Sequence, residues 1–206
     1  INNLIISHAH EDHFYPLDFE YFFEGFSVPK KCLPFSVYGS TDLKPYLDSY
    51  VNNPRNQGLK YMPIEPYKTY AVGKYMVTPL EASHGTEHPY VYIVSDGEKE
   101  FFYCHDSGLL KDEVFDYLYS SKHHFDLVSI DCTVGDAEMP WNNHMNLEMN
   151  KKTIDRLKQV GVADENTKVV VSHFSHNGGH VLYEDMVQVA ATYGFDVSYD
   201  GMEIEF

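Results

Sequence analysis

Short apolar runs that end in polar side chains dominate the hydrophobic pattern of the chain. Asn3 to Ser7 ends at a group of histidines, Leu127 to Ile130 at Asp131-Cys132, and Val169 to Val171 at Ser172-His173. Continuous apolar runs of this length are typical of strands that are buried on both faces. We therefore predict buried strands whose carboxyl ends present chemically active residues.

Further strands and helices are predicted between these runs. The β-rich segments are Phe35 to Tyr38, Tyr75 to Leu80, Tyr90 to Ser95 and Phe101 to Tyr103, with a hairpin turn at Asp96-Gly97. Helical spacing predicts helices over Thr41 to Val51, opened by a Ser40/Thr41 cap, and over Leu109 to Tyr119, Leu147 to Val160 and Tyr183 to Tyr193. A closing hairpin over Asp196 to Phe206, turned at Asp200-Gly201, is also predicted. The alternation favours an α/β fold with helices outside two packed sheets.

The composition is that of a globular protein. The 206 residues are 43% hydrophobic and include 17 Tyr and 13 Phe, which suits a packed core in a single domain over 1–206. No apolar run reaches the ~18–20 residues of a membrane span, and the first residues lack the basic and long apolar regions of a signal peptide. The three cysteines form no CxxC pair, which argues against a disulfide framework or a thiolate zinc site. These features favour a cytoplasmic protein with no membrane partner.

Acidic residues outnumber basic ones by 31 to 15, giving a formal net charge of −16. A negative surface repels the phosphate backbone of a long nucleic acid, so extended RNA or DNA is not expected as a partner. The same field repels small anionic substrates unless bound cations reverse it locally.

The segment His8-Ala9-His10-Glu11-Asp12-His13 places three imidazoles and two carboxylates within six residues. A loop with these side chains can wrap around metal ions, and imidazole with carboxylate oxygen suits Zn, Mn or Fe. The alternative is a solvated histidine-rich loop or an engineered tag. Tags lie outside folds, whereas this cluster directly follows a predicted strand. A metal site is therefore the preferred interpretation.

The cluster resembles the signature of the metallo-β-lactamase superfamily, whose further ligands follow as His, Asp and His at strand ends. His84, Asp106 and His173 match that order. The resemblance implies a four-layered αββα sandwich that holds two divalent metal ions, Zn or Mn. It implies that His8, His10 and His84 hold one metal, that Asp12, His13 and His173 hold the other, and that Asp106 and a hydroxide bridge them. It also places Asp12 among the catalytic residues.

Four other segments resemble the phosphoribosyl 1,2-cyclic phosphate phosphodiesterases of the carbon–phosphorus lyase pathway over nearly the whole chain. They are Asn143-His144-Met145-Asn146-Leu147, Ser172-His173-Phe174-Ser175-His176, Asp131-Cys132 and Asp200-Gly201-Met202-Glu203-Ile204. The related tRNA 3′-processing endonucleases also carry a histidine at the position of His144, where it assists phosphodiester cleavage, and the β-lactamases and glyoxalases do not share this segment. The resemblance therefore implies a binuclear phosphodiesterase that acts on a small cyclic sugar or nucleotide phosphodiester, with His144 as a catalytic residue.

Two departures from this family stand out. The chain begins almost at the metal motif, so we expect the amino-terminal strands and the cysteine-rich structural zinc loop of the family to be absent. Asn146 stands where the family has a carboxylate beside its catalytic histidine. A neutral amide there would change how His144 is oriented.

Several alternatives stay open at this point. The same metals could hydrolyse a lactone or a thioester, and an RNA-processing nuclease would share His144 but needs a basic surface. A non-catalytic metal-binding protein is a further alternative, against which the full ligand set argues. His176, Asn177 and His180 could contact a second phosphate or a sugar hydroxyl, or could equally belong to an exposed polar loop. His105 is left outside the site, and a homodimer remains open.

Overall fold

The computed structural model describes residues 1–26, 34–175 and 182–206 of the chain. Its first sheet has three parallel strands in the order β1-β2-β3. They are β1 (Asn3–Ile5), β2 (Phe35–Gly39) and β3 (Leu59–Pro63). Because all three strands run the same way, the loop that follows β1 and carries the histidines lies at the same edge as the loop that follows β2.

The second sheet has seven strands in the order β10-β9-β8-β7-β6-β5-β4. They are β4 (Tyr70–Val72), β5 (Tyr75–Glu81), β6 (Tyr90–Ser95), β7 (Glu100–Cys104), β8 (Leu127–Asp131), β9 (Lys168–Ser172) and β10 (Asp196–Val197). Strands β4 to β7 pair antiparallel and strands β7 to β10 pair parallel. The hairpin predicted at Asp96-Gly97 joins β6 and β7, with Gly97 in the left-handed region at φ 99°.

Four α-helices follow the predicted segments with shifted ends. They are α1 (Lys44–Val51), α2 (Asp112–Ser120), α3 (Leu147–Gln159) and α4 (Tyr183–Thr192), and 3₁₀-helices cover Pro16–Phe22 and Thr41–Leu43. The predicted Ser40/Thr41 cap is wrong, because Ser40 precedes a 3₁₀ turn and its side chain caps nothing there. In the described part of the chain, no helix is long and apolar enough to cross a bilayer.

Three apolar clusters define four layers. The largest fills the space between the seven-stranded sheet and helices α2, α3 and α4, around Phe102, Val128 and Leu157. A second lies between the three-stranded sheet and α1, around Val37 and Leu47. A third lies between the two sheets and includes Ile64, Val77, Tyr90 and Tyr92. The predicted α/β architecture, with helices outside two packed sheets, is thus confirmed.

The closing hairpin predicted over Asp196 to Phe206 is wrong. The chain does turn at Asp200-Gly201, where the amide of Met202 donates to Tyr199 O at 3.0 Å. Beyond the turn it crosses the neighbouring strands instead of pairing with β10: Lys168 Nζ donates to Glu205 O at 2.6 Å, and the rings of Phe206 and Phe101 lie 6.4 Å apart. Contacts with β9 and β7 replace the hairpin.

Strands β3 and β4 and the 3₁₀-helix Pro16–Phe22 were not predicted. The β3 sequence LKYMP has one buried residue, one half-buried residue and three exposed ones, and it ends in proline. It lacks the alternation by which an amphipathic strand is recognised, and it lies at the edge of the three-stranded sheet.

Candidate metal centre

Three histidines converge after β1 and β5. His8 Nε2 lies 3.0 Å from His10 Nδ1, and His10 Nδ1 lies 3.2 Å from His84 Nε2. His8 is almost fully buried, with 1% of its surface exposed. These nitrogens form a group in which every ligand atom lies within 4.8 Å of the others. The sequence motif and His84, 74 positions further along, therefore meet at one point.

Asp106 lies between this trio and two further histidines. Its Oδ1 is 3.7 Å from His84 Nε2, and its Oδ2 is 3.4 Å from His13 Nε2 and 3.1 Å from His173 Nε2. Asp106 and His173 both adopt left-handed backbone, with φ of 51° and 63°. Such conformations are costly for residues other than glycine and are concentrated at functional sites. Here they follow β7 and β9 directly, so each side chain enters the centre from a strand end.

The spacing of these atoms fits a tetrahedral cation. Bonds of ~2.1 Å place the ligand atoms of tetrahedral zinc roughly 3.4 Å apart, and the contacts among His8, His10, His84 and Asp106 run from 3.0 to 3.7 Å. Asp106 Oδ2 is buried and accepts no hydrogen bond of good geometry, despite its two close imidazoles. A buried carboxylate oxygen without a donor is costly unless a cation completes its surroundings. The residues present therefore fit a metal.

Hydrogen bonds on the far side of the imidazoles direct the lone pairs inward. His84 Nδ1 donates to the carbonyl of Asn143 at 2.8 Å, and because a carbonyl only accepts, Nε2 of His84 presents a lone pair. Ser7 Oγ lies 3.0 Å from His8 Nδ1 in a corresponding position. Partners of this kind fix the tautomer and orientation of metal-binding histidines.

Burial and charge favour the forms that bind cations. Burial, reinforced by His84, lowers the pKa of His8 to about 3, so that imidazole is neutral near pH 7. Burial alone would raise the pKa of Asp106, but His173, His13 and His8 outweigh it and hold that pKa well below its usual range. A neutral imidazole at His8 and an ionised carboxylate at Asp106 are states that ligate metals, whereas the contact with Asp106 raises the pKa of His173, whose proton a cation would have to displace.

The remaining predicted residues are placed as follows. Asp12 Oδ2 lies 3.5 Å from His13 Nε2, but the Asp12 side chain is 78% exposed. Asp12 is not part of any group whose ligand atoms all lie within 4.8 Å of one another, so its role stays a prediction. His105 donates to or accepts from Ser129 Oγ at 2.7 Å. His176, Asn177 and His180 lie outside the described residues. Cys104 and Cys132 are buried free thiols whose pKa burial raises, which does not favour thiolate ligation.

His144 stands beside the ligand set. Its ring lies 4.9 Å from that of His84 and 5.7 Å from that of His173. Its Nδ1 donates to Asp131 Oδ2 at 2.9 Å, because a carboxylate oxygen can only accept. This hydrogen bond leaves Nε2, on the other side of the ring, unused. The ring is thus held in position from behind by Asp131.

Sequence reasoning did not assign a role to Asp131, although it noted Asp131-Cys132 at the end of an apolar run. Its fully buried carboxylate accepts five hydrogen bonds, from the amides of Asp106, Met145 and Thr133, the Thr133 hydroxyl and His144 Nδ1. With its oxygens so engaged, Asp131 holds the surrounding loops together, and it also offers a ligand atom within 4.8 Å of those of Asp106, His144 and His173. Its position at a strand end and its place among the segments that resemble the phosphodiesterase family were the available signals.

Asn146 does not contact His144 through any hydrogen bond of the structure. Its Oδ1 accepts from the amide of Met149 at 2.9 Å and caps α3, and its Nδ2 donates to Ala137 O at 2.8 Å. The departure from the family pattern at this position therefore leaves the orientation of His144 to Asp131.

Hydrogen bonds of side chains and backbone join the loops that carry His84, Asp106 and His144. Asn142 Oδ1 accepts from the amide of Leu109 at 2.6 Å, and Asn142 Nδ2 donates to Leu109 O at 3.1 Å. The amide of Gly108 donates to Ser83 O at 2.9 Å, and Ser83 Oγ donates to Leu109 O at 2.8 Å. Residues close to His84, Asp106 and His144 in the chain are thus hydrogen-bonded to one another, which fixes the three loops relative to each other.

Sequence comparison identifies the family. A model described as the beta-lactamase superfamily domain matches residues 1–174, and the chain belongs to that superfamily. Comparison with curated proteins finds no match. The fold is accordingly the α/β metallo-β-lactamase fold, in which metal-dependent hydrolases are found.

Solved structures share this fold at low identity. Unliganded yeast PDE1 is 14% identical, with a TM-score of 0.71 over 98% of this chain and 67% of that chain. A diphosphatase from the PhnP family is 19% identical, with a TM-score of 0.70 over 100% of this chain and 71% of that one. Zn²⁺-bound PqqB from Methylobacterium extorquens is 14% identical, with a TM-score of 0.67 over the same shares. At these identities the likeness concerns the fold alone.

Proposed function

We propose that the chain is a binuclear metal-dependent phosphodiesterase that hydrolyses a small phosphodiester, such as a cyclic sugar or nucleotide phosphate. The observation that carries this proposal is His144, oriented by Asp131 through a 2.9 Å hydrogen bond and set beside His84 and His173. Hydrolysis of a lactone or thioester needs the metals alone, whereas a histidine at this place suits a phosphoryl group and its leaving oxygen.

His8, His10 and His84 would hold one cation and Asp12, His13 and His173 the other, with Asp106 between them. Two divalent cations, Zn or Mn, supply a water nucleophile that is active near neutral pH and neutralise charge on the phosphoryl oxygens. The proposal is supported by two proteins of the same fold, a diphosphatase from the PhnP family and Zn²⁺-bound PqqB.

His144 would act on the substrate through Nε2. Because Nδ1–H donates to Asp131, Nε2 faces the substrate and can donate a hydrogen bond to a phosphoryl oxygen, or a proton to the departing sugar oxygen, when the ring is protonated. Asp131 stabilises the protonated imidazole and keeps its orientation without taking the proton itself.

Charge supports a diester rather than a more highly charged monoester. In the part of the chain that the structure describes, the ion pairs of Asp106 and Asp131 involve histidines alone. Without a lysine or arginine in these pairs, the cations and His144 must supply the positive charge, which suits a singly charged phosphodiester.

The proposal is tested on purified protein loaded with Zn or Mn. Elemental analysis should give about two metals per chain, and bis-p-nitrophenyl phosphate and a 1,2-cyclic ribose phosphate should both be cleaved. His144→Ala should lower kcat by about 10²–10⁴-fold with the metal content retained, Asp106→Asn should lose the binuclear site, and the surface control His124→Ala should do neither. Two metals with lactone or thioester cleavage but no phosphodiester cleavage would refute the proposed reaction, and absence of bound metal would refute the metal centre.

A further inference from the structure

The hydroxyl of Thr133 lies between a proposed metal ligand and the proposed catalytic histidine. Thr133 Oγ1 is 2.8 Å from His173 Nδ1 and 3.0 Å from His144 Nδ1. It also donates to Asp131 Oδ1 at 2.9 Å, and the Thr133 amide donates to the same oxygen at 2.9 Å. One oxygen atom therefore contacts both rings while it is itself held by a buried carboxylate.

The supply of protons decides the direction of each bond. A hydroxyl has one proton and two lone pairs, and the proton of Thr133 is used on Asp131, whose oxygens accept. The contacts with the imidazoles are then donated by the rings: Nδ1–H of His173 donates to Thr133 Oγ1, and the one Nδ1–H of His144 is shared between Thr133 Oγ1 and Asp131 Oδ2. Each ring is left with its Nε2 directed away from Thr133, and Nε2 of His173 is the atom 3.1 Å from Asp106 Oδ2.

The two histidines depend on Thr133 to different degrees. His144 Nδ1 has a second partner at hydrogen-bond distance, Asp131 Oδ2 at 2.9 Å. For His173 Nδ1 the same oxygen is 3.5 Å away, so Thr133 Oγ1 is its near partner. Loss of the hydroxyl should therefore affect His173 first.

We propose that Thr133 is a positioning residue that fixes the Nδ1–H tautomer and the ring orientation of His173, and that steadies His144 through the same oxygen. The proposal rests on the proposed metal centre, because it requires that Nε2 of His173 binds a cation. It does not depend on which bond the enzyme hydrolyses. Residue 133 would then act on the chemistry only through the two rings.

The test compares Thr133→Val, which removes the hydroxyl at similar volume, with Thr133→Ser, which keeps it. Thr192→Val on the exposed end of α4 is the matched control for the substitution itself. Nitrogen-15 NMR of the histidines is recorded on chelator-treated protein at a pH where the rings are neutral, with His173→Gln and His144→Gln to assign the signals. Metal titration and kcat with bis-p-nitrophenyl phosphate follow on the same proteins.

In the wild type, both rings should show the Nδ1–H tautomer. Thr133→Val should shift His173 to a mixture of tautomers while His144 keeps Nδ1–H, and should weaken binding of the second metal by about 10–100-fold. Thr133→Val should also lower kcat more than it changes KM. Thr133→Ser should keep the wild-type tautomer of His173 and the wild-type affinity for the second metal. If Thr133→Val does not fold, Thr133→Ala supplies the same comparison.

An unchanged His173 tautomer together with unchanged affinity for the second metal in the Val or Ala variant would overturn the proposal. Failure of the proposed function looks different. Wild-type protein would then bind two metals without cleaving phosphodiesters, and the NMR and metal titrations would still decide the role of Thr133.

Discussion

Asp131 shows how one buried carboxylate can organise the loops around a site. Its oxygens accept from the loop after β7 through Asp106 N, from the loop after β8 through Thr133, and from the segment before α3 through Met145 N. These donors come from separate loops, so the carboxylate joins them at one point. Hydrogen bonds to a charged acceptor are stronger than neutral ones, which explains why this junction can hold left-handed backbone at Asp106.

Gly108 matters at the residue scale because of what lies next to it. A Cβ at this position would lie 2.4 Å from Asn142 Oδ1 and 2.5 Å from the Asn142 carbonyl carbon, which is backbone. Gly108→Ala must therefore push apart the loops carrying Asp106 and His144. We expect a loss of about 1–3 kcal/mol in the free energy of unfolding, measured by urea denaturation, together with weaker metal binding.

Gly85→Ala is the matched control, because it also adds a methyl group next to a predicted ligand. Its Cβ would lie 3.6 Å from His10 Cε1, an ordinary van der Waals distance. This variant should keep nearly wild-type stability. Equal stability of the Gly108 and Gly85 variants would show that the loops yield easily to the added methyl group.

At the scale of elements, the seven-stranded sheet changes from antiparallel to parallel pairing at β7. The strands β7, β8 and β9 run in one direction, so Asp106, Asp131 and His173 leave the sheet at the same edge. At the opposite end, Asp126 ties β7 to β8: its Oδ2 accepts from the amide of Glu100 at 2.9 Å and its Oδ1 from Lys99 Nζ at 2.7 Å.

Asp126 gives this junction a pH dependence. Burial raises the pKa of Asp126, but Lys99 and the Glu100 amide outweigh it, and the net shift is downward from 3.8. A carboxylate with a lowered pKa contributes stability that is present above the unfolded value and is lost as the pH falls through the folded value. Asp126→Asn should therefore reduce the free energy of unfolding by about 0.5–1.5 kcal/mol at pH 7, and the difference should shrink below pH 3.8.

Urea unfolding at pH 7 and near pH 3.5 measures this difference, with Glu98→Gln in the adjacent turn as a control for removing one negative charge. A difference between wild type and Asp126→Asn that stays the same at both pH values would contradict the assigned cause.

At the scale of the whole molecule, two sheets with unlike topology bring the site together. The three-stranded parallel sheet supplies His8, His10 and His13, and the larger sheet supplies His84, Asp106 and His173. The centre therefore forms only when the sheets pack through the cluster of Tyr90, Tyr92 and Ile64. Metal binding should in turn stabilise that packing, since a ligand bound by the folded state alone raises its stability.

The net charge of −16 predicts selectivity against polyanions. The metal-loaded protein should cleave a small phosphodiester but neither bind nor cut a labelled single-stranded RNA at physiological salt, because the excess of surface carboxylates repels the backbone. Fluorescence anisotropy and gel analysis of the RNA check this. Tight RNA binding that weakens steeply with added salt would point instead to a nuclease with a local basic surface.

Much of the fold could be predicted from local pattern. The apolar runs before His8, Asp131 and His173 became strands, and the spacing of apolar residues located the four α-helices. The ends were less predictable: Thr41 to Val51 begins as a 3₁₀ turn, and the chain after Val197 crosses the sheet instead of forming a hairpin. Those outcomes depend on which neighbouring strand is within reach, which local sequence does not encode.

The sequence by itself determined which side chains have metal chemistry and that they follow strands, because residue identity and short-range periodicity carry that information. Only the tertiary structure decided that Asp131 orients His144 and that Thr133 joins His144 to His173. Contacts within the site connect residues far apart in the chain, such as His13 and Asp106, which are 93 positions apart. Their geometry is set by strand register and sheet packing, which are properties of the whole fold.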